Sequence, residues 1–159
     1  MSALDLLRRQ HEEIQVFCAK LRELRGTEAR RRTVAGLARL VRSHASLEEE
    51  FVYPKLEGQD ETAPLADSAF RDHETFDEVL VELEACPPED EALLGIIDEL
   101  EELFGDHLVL EEERIFVWLE ETLAAAQLAE LGRAMAARFA ELTQTAERPA
   151  IGRDQLPEA

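Results

Sequence analysis

The heptapeptide HASLEEE at residues 44–50 returns as HLVLEEE at residues 107–113, 63 residues later. In each copy a histidine and a glutamate stand four apart, one helical turn: His44 with Glu48, and His107 with Glu111. Around the first copy, Leu37, Leu40, Val41 and Val52 recur at helical spacing, and the 3.6-residue period puts His44 and Glu48 on that same apolar face. A carboxylate aimed at a core is costly unless something pairs with it. The fold reading therefore starts from two helices that each carry an inward His-x-x-x-Glu.

The rest of the chain is consistent with a helical protein. Its 159 residues are 45% hydrophobic, enough for one domain with a sizeable core. Glycine and proline are few, and long runs of Ala, Leu, Glu and Arg favour helix. No apolar run approaches the ~20 residues of a membrane span. The N-terminus MSALDLLRRQHEE, residues 1–13, lacks the apolar region of a signal peptide. A net charge of −19 argues against a nucleic-acid surface and for a solvated exterior. Two cysteines, Cys18 and Cys86, lack a CxxC pattern and are read as thiols in a reducing compartment. The expectation is a cytoplasmic protein that binds neither nucleic acid nor membrane, a monomer or weak homodimer.

Periodicity divides the chain into five predicted helices. The first, 2–25, has the stripe Leu4, Leu7, His11, Ile14, Cys18 and Leu21, with Ser2 and Asp5 as a capping pair. The second, 28–53, ends against Pro54, and the polar EGQDETAP at 57–64 follows. The third, 65–85, presents Ala69, His73, Phe76, Leu80 and Leu83, and CPPED at 86–90 breaks it. The fourth, 90–119, presents Phe104, His107, Glu111, Ile115 and Trp118. A fifth, 123–146 with Thr122 as its cap, presents Leu128, Leu131, Met135 and Phe139. No strand pattern appears, and the short connections predict an all-α, up-down-up-down antiparallel four-helix bundle with an additional C-terminal helix. The expected division is a bundle over 1–120, the fifth helix over 121–147 and a flexible tail over 148–159.

Counting turns this into a site. Each of the first four helices carries one histidine, and the chain has only four. His11 to His73 is 62 residues and His44 to His107 is 63, so the second hairpin repeats the first. In an antiparallel pair, residues equidistant from the turn share a height. The midpoints of 11 and 44, 44 and 73, and 73 and 107 are 27.5, 58.5 and 90, each at a predicted break. All four histidines should then lie in one layer near mid-bundle, with Glu48 and Glu111 within a turn of it. A single inward histidine is ordinarily a hydrogen-bonded core residue. Four at one height with two buried carboxylates need cations to compensate the anions. Imidazole with carboxylate suits iron, manganese or zinc, and carboxylates favour iron or manganese over a structural zinc site. Glu12, Glu49, Glu50, Glu112 and Glu113 fall off the stripe or at its margin, and most are expected on the solvated surface. Tyr53-Pro54 and its weak echo Val117-Trp118 are expected to pack helix ends.

At His11-Glu12-Glu13, HASLEEEFVYPKL (44–56), DHETF (72–76) and HLVLEEERIF (107–116), the sequence resembles the hemerythrin-like family, the HHE cation-binding domain, over about residues 1–120. LAELGRAMAARFAEL at 128–142 is similar to an extension in stand-alone actinobacterial relatives. The resemblance implies an oxo- or hydroxo-bridged di-iron centre with His11, His44, His73 and His107 as ligands and Glu48 and Glu111 as bridges. Ferritin-type di-iron bundles differ, using a Glu-x-x-His step. The oxygen-carrying members have a fifth histidine one turn after the third-helix histidine, where this chain has Asp77; the mate after His11 is Gln15. Asp77 and Gln15 are thus candidates for an additional ligand, and Asp77 alternatively for a hydrogen-bond partner of His73. If neither ligates, both irons keep an open position, which favours redox chemistry on a peroxide over reversible carriage.

Three functions compete. One is a catalase-like di-iron enzyme that decomposes peroxide. Another is a module that binds O2, NO or iron, as carrier or sensor, without turnover. The third is a structural or zinc-bound bundle. No nucleophile–base–oxyanion set accompanies the metal-type residues, so any catalysis is expected to be the metal's.

Overall fold

A computed structural model of the chain describes residues 1–147, and the predicted tail at 148–159 lies outside the described residues. Long helices span Ala3–Glu23 (α1), Thr27–Phe51 (α2), Ala63–Ala85 (α4) and Ala92–Leu110 (α5), with a short Tyr53–Glu57 helix (α3) after α2. The α5 helix passes through a π-turn at Glu111–Ile115 into α6, Phe116–Thr122, and α7 covers Ala125–Glu147. There is no strand among the described residues.

Local sequence explains most of the boundaries. Ser2 and Asp5 cap α1 reciprocally, each satisfying the other's backbone N–H. Val52 leaves helical register at φ −103° and ψ −58°, and Pro54 occupies the first turn of α3, where its missing N–H costs nothing. The predicted second helix therefore ends two residues early. The fourth predicted helix stays helical through Thr122 but widens into a π-turn at Glu111–Ile115 between α5 and α6. The expected cap at Thr122 is not made: Thr122 ends α6, and Gln127 Oε1 accepts from the Ala124 N–H before α7.

Helices adjacent in sequence pack together, and α1 packs on α5 to close the four-membered ring, the bundle expected from the short connections. Its core is divided. One apolar cluster centres on Ile14, Leu37, Phe76, Leu80, Ile97 and Leu100. The other centres on Leu4, Leu7, Leu47, Leu56, Phe116 and Leu119. Between them lies the layer of histidines and glutamates. Arg30 is buried and donates to the Leu24 and Pro88 carbonyls, tying the α1–α2 connection to the α4–α5 connection.

The fifth long helix, α7, packs along α1 and α2 through Leu128 and Met135. A side chain at Gly132 would meet the Met1 carbonyl oxygen at 2.6 Å and Ala3 N at 2.8 Å, so glycine is required where the chain start crosses α7. Arg138 of α7 makes a two-pronged pair with Glu50 of α2, at 3.0 Å from Nε to Oε2 and 3.0 Å from Nη2 to Oε1.

Candidate metal centre

His11 on α1, His44 and Glu48 on α2, His73 on α4, His107 on α5 and Glu111 at the start of the π-turn converge between the two apolar clusters. All six are buried, Glu111 completely. They form two groups of four, His11–His44–Glu48–Glu111 and Glu48–His73–His107–Glu111, with the donor atoms of each group within 4.8 Å of one another. Both carboxylates belong to both groups, one oxygen to each. Glu48 Oε1 lies 3.2 Å from His44 Nε2, while its Oε2 lies 3.1 Å from His73 Nε2. Glu111 Oε2 lies 3.0 Å from His11 Nε2, while its Oε1 lies 3.0 Å from His107 Nε2.

The outer nitrogen of every ring has an acceptor beside it. His44 Nδ1 is 2.9 Å from Gln10 Oε1, and His107 Nδ1 is 2.9 Å from Asp72 Oδ2. His73 Nδ1 is 2.8 Å from Glu49 Oε1, and His11 Nδ1 is 3.4 Å from Glu112 Oε1. An acceptor there keeps the proton on Nδ1 and leaves the Nε2 lone pair pointing inward, the arrangement of a metal-bound imidazole. The bonds are intramolecular but cross between helices, which also fixes the ring planes.

A seventh group enters the layer. Tyr53 is fully buried, and its hydroxyl lies 3.1 Å from Glu48 Oε2, 3.2 Å from Glu111 Oε1 and 3.0 Å from His73 Nε2. It therefore sits at the His73/His107 group alone. Its place beside His11 is taken by Phe116, whose ring stacks on that imidazole at 5.9 Å and 1°. Phe104 and Phe76 close the other side edge-on to His11 and His107.

The electrostatics describe a cluster that collects positive charge. Burial works to raise the Glu48 carboxyl, yet the imidazoles of His44, His107 and His73 hold it well below the usual carboxylate range. Burial works to lower His73, but its bonds to Glu48 and Glu49 leave it raised to about 9. His107 is pushed well above its ordinary value in the same way, by Glu111 and Asp72 against burial, and His11 is raised by Glu111. Burial, with Glu48 and Glu111 alongside, pushes the Tyr53 phenol up, so it stays a donor.

Protons are a poor solution to this demand. The Nε2 atoms of His11, His44 and His107, with Glu48 Oε1 and Glu111 Oε2, have no hydrogen-bond partner although each lies near another donor atom. A lone pair and a carboxylate oxygen that face one space without a shared hydrogen bond are what a cation brings together. The donor set, imidazole and carboxylate with no thiolate, fits a pair of divalent or trivalent ions of the iron or manganese kind.

Asp77 and Gln15 are not part of this layer. Asp77 has a side chain 61% exposed and pairs with Arg42 at 2.9 Å; Gln15 is exposed on α1. Phe76 holds the inward position on α4, and the step of four rotates Asp77 past the seam to the surface. Glu49 corrects the expectation in the other direction. It is half-buried, and Glu112, though exposed as expected, still reaches the His11 ring, because about 100° round from Glu48 and Glu111 lies the seam with the neighbouring helix. Tyr53, expected as helix-end packing, is central. The repeat itself held the signal for these residues: spacings of 62 or 63 pair Gln10 with Asp72, Glu49 with Glu112, and Tyr53 with Phe116.

A family model described as the hemerythrin HHE cation binding domain matches residues 2–119. The fold is similar to the crystal structure of a hemerythrin HHE cation binding domain-containing protein from Mycobacterium kansasii. That likeness has a TM-score of 0.79 at 23% identity and covers 92% of this chain and 90% of the other. No curated protein matches the chain. With the match spanning the bundle and the His/Glu layer at its centre, this chain belongs to the hemerythrin HHE cation-binding family.

Proposed function

We propose that His11, His44, His73, His107, Glu48 and Glu111 hold two iron ions, and that the centre decomposes hydrogen peroxide. The observation that carries this reading is the pair of four-donor groups sharing both carboxylates. Two adjacent iron ions supply the electron capacity for disproportionation, in which one peroxide is oxidised to dioxygen and a second is reduced to water, with no further co-reactant. The protein's part is to hold, shield and admit. Gln10, Glu49, Asp72 and Glu112 fix the four rings with Nε2 inward. Glu48 and Glu111 each offer one oxygen to either position. The apolar clusters above and below keep bulk water out. The Tyr53 hydroxyl can hold a peroxide oxygen by hydrogen bond at the His73/His107 side.

A groove of about 510 Å³ between α2 and α4 reaches His73 and Glu49 from the surface. Its walls include Glu49, Glu74, Asp77 and Glu78, with Arg42 already paired to Asp77 and Glu84. An acidic approach favours a neutral oxidant over an anion. Dioxygen and nitric oxide are neutral too, and a binding module without turnover is the competing outcome. The test is to add hydrogen peroxide to purified ferric protein in an oxygen electrode. One dioxygen released per two peroxides consumed is expected. Protein that carries two irons, binds O2 or NO and leaves peroxide untouched would give the function to the binding module.

A further inference from the structure

The two halves of the layer are built from the same repeat but are not chemically equal. At the His73/His107 position both outer nitrogens face carboxylates at short range, Glu49 at 2.8 Å and Asp72 at 2.9 Å. At the His11/His44 position one ring faces Glu112 at 3.4 Å, and the other faces the neutral amide of Gln10. These are matched positions: Gln10 stands 62 residues before Asp72, and Glu112 stands 63 after Glu49. Glu112 is also the more exposed of its pair, at 46% against 39%. A carboxylate behind an imidazole raises the basicity of the nitrogen on the other side, and a charged acceptor makes roughly twice as strong a bond as a neutral one. Glu48 and Glu111 each give one oxygen to either side; the Tyr53 hydroxyl lies beside the two oxygens of the His73/His107 side, but its single proton can engage only one of them, against two ring nitrogens backed by carboxylates.

We infer that the His73/His107 position takes the first metal ion and holds it more tightly, while the His11/His44 position takes the second and releases it first, Gln10 in place of a carboxylate being the main cause. This ordering rests on the two-metal part of the function proposed above and is independent of the reaction.

The full-length protein, stripped with chelator, is loaded with one equivalent of cobalt(II) and crystallised. Anomalous diffraction locates the ion. Density between His73 and His107 is expected; density between His11 and His44, or an equal split, overturns the ordering. Chelator competition then gives two dissociation constants. Gln10→Glu should tighten the second ion by about tenfold with the first little changed, and Asp72→Asn should weaken the first by about 10- to 100-fold. A Gln10→Glu protein whose second ion is held no more tightly than in the wild type also overturns it. Wild-type protein that binds no cobalt refutes the two-metal reading itself. Ordered binding of two ions by a protein that leaves peroxide untouched keeps the ordering and removes only the peroxide activity.

Discussion

The two copies of the ligand segment begin alike and end differently. After Glu48, α2 stops at Phe51, Val52 turns out of register, and Tyr53-Pro54 opens a new short helix. After Glu111 the chain stays helical by widening into a π-turn before Phe116. Proline explains the first outcome, since Pro54 can donate no backbone hydrogen bond; Val117 stands at the matched position. The π-turn at the second copy lies on a ligand candidate, where such turns are often found. Both routes bring an aromatic ring to the opposite half: Tyr53 to His73 at 5.3 Å and Phe116 to His11 at 5.9 Å. Only one ring carries a hydroxyl. The layer is thus symmetric in its six donors and asymmetric in what surrounds them.

The largest effect should come from the groups both halves share. Glu48→Ala or Glu111→Ala removes a donor from both positions at once. Each variant should lose iron from both positions together and become less stable by about 3–5 kcal/mol, as metal analysis and denaturant titration would report. Retention of one tightly held ion in either variant would mean the carboxylate serves one position only.

Next are the groups that differ between halves. Glu49→Ala should weaken metal binding by about 10- to 100-fold, and Glu112→Ala by less, because its carboxylate is farther from its ring. Chelator competition on the two proteins measures the contrast, and equal losses would erase it. Tyr53→Phe should leave iron content at its wild-type value and slow peroxide turnover by about 10- to 150-fold, the rate equivalent of a ~1.5–3 kcal/mol hydrogen bond to a charged group. Phe116→Tyr does not restore the loss, because its ring faces the other histidine.

Removal of metal exposes the proton chemistry. His73 has its pKa raised to about 9 in the folded, metal-free protein, and His107 too is raised well above its ordinary value by Glu111 and Asp72 against burial. Stability from a raised histidine is fully present below the unfolded value near 6.5 and is lost as pH rises through the folded value. The chelated protein should therefore lose stability from about pH 6.5 to 9, whereas acid strips metal from the loaded protein by protonating its ligands. Thermal melts of chelated protein that improve over that alkaline range would contradict these assignments. Smallest of all is Asp77→Ala, which breaks an exposed pair with Arg42 and should cost within about 1 kcal/mol with iron content unchanged.

The contrast between halves also marks how far the sequence could be read. The bundle and its layer followed from intrahelical period plus equal distances to the turns, because His11, His44, His73 and His107 lie within uninterrupted helices. Tyr53 did not, because it lies beyond the register change at Val52 and no helical wheel carries across it. Gln10, Glu49, Asp72 and Glu112 were missed for another reason. Their role lies between helices, whereas periodicity along one helix reports only inward or outward. Its place one turn after His73 makes Asp77 a candidate ligand in sequence, but Phe76 fills the inward face beside it and Asp77 pairs with Arg42 at the surface.

The central claim is that both carboxylates serve two metal positions, and metal content tests it most directly. Protein purified without chelator after aerobic expression should contain two ions per chain, mostly iron, matching the two donor groups. A single zinc per chain, or no metal at all, would contradict it.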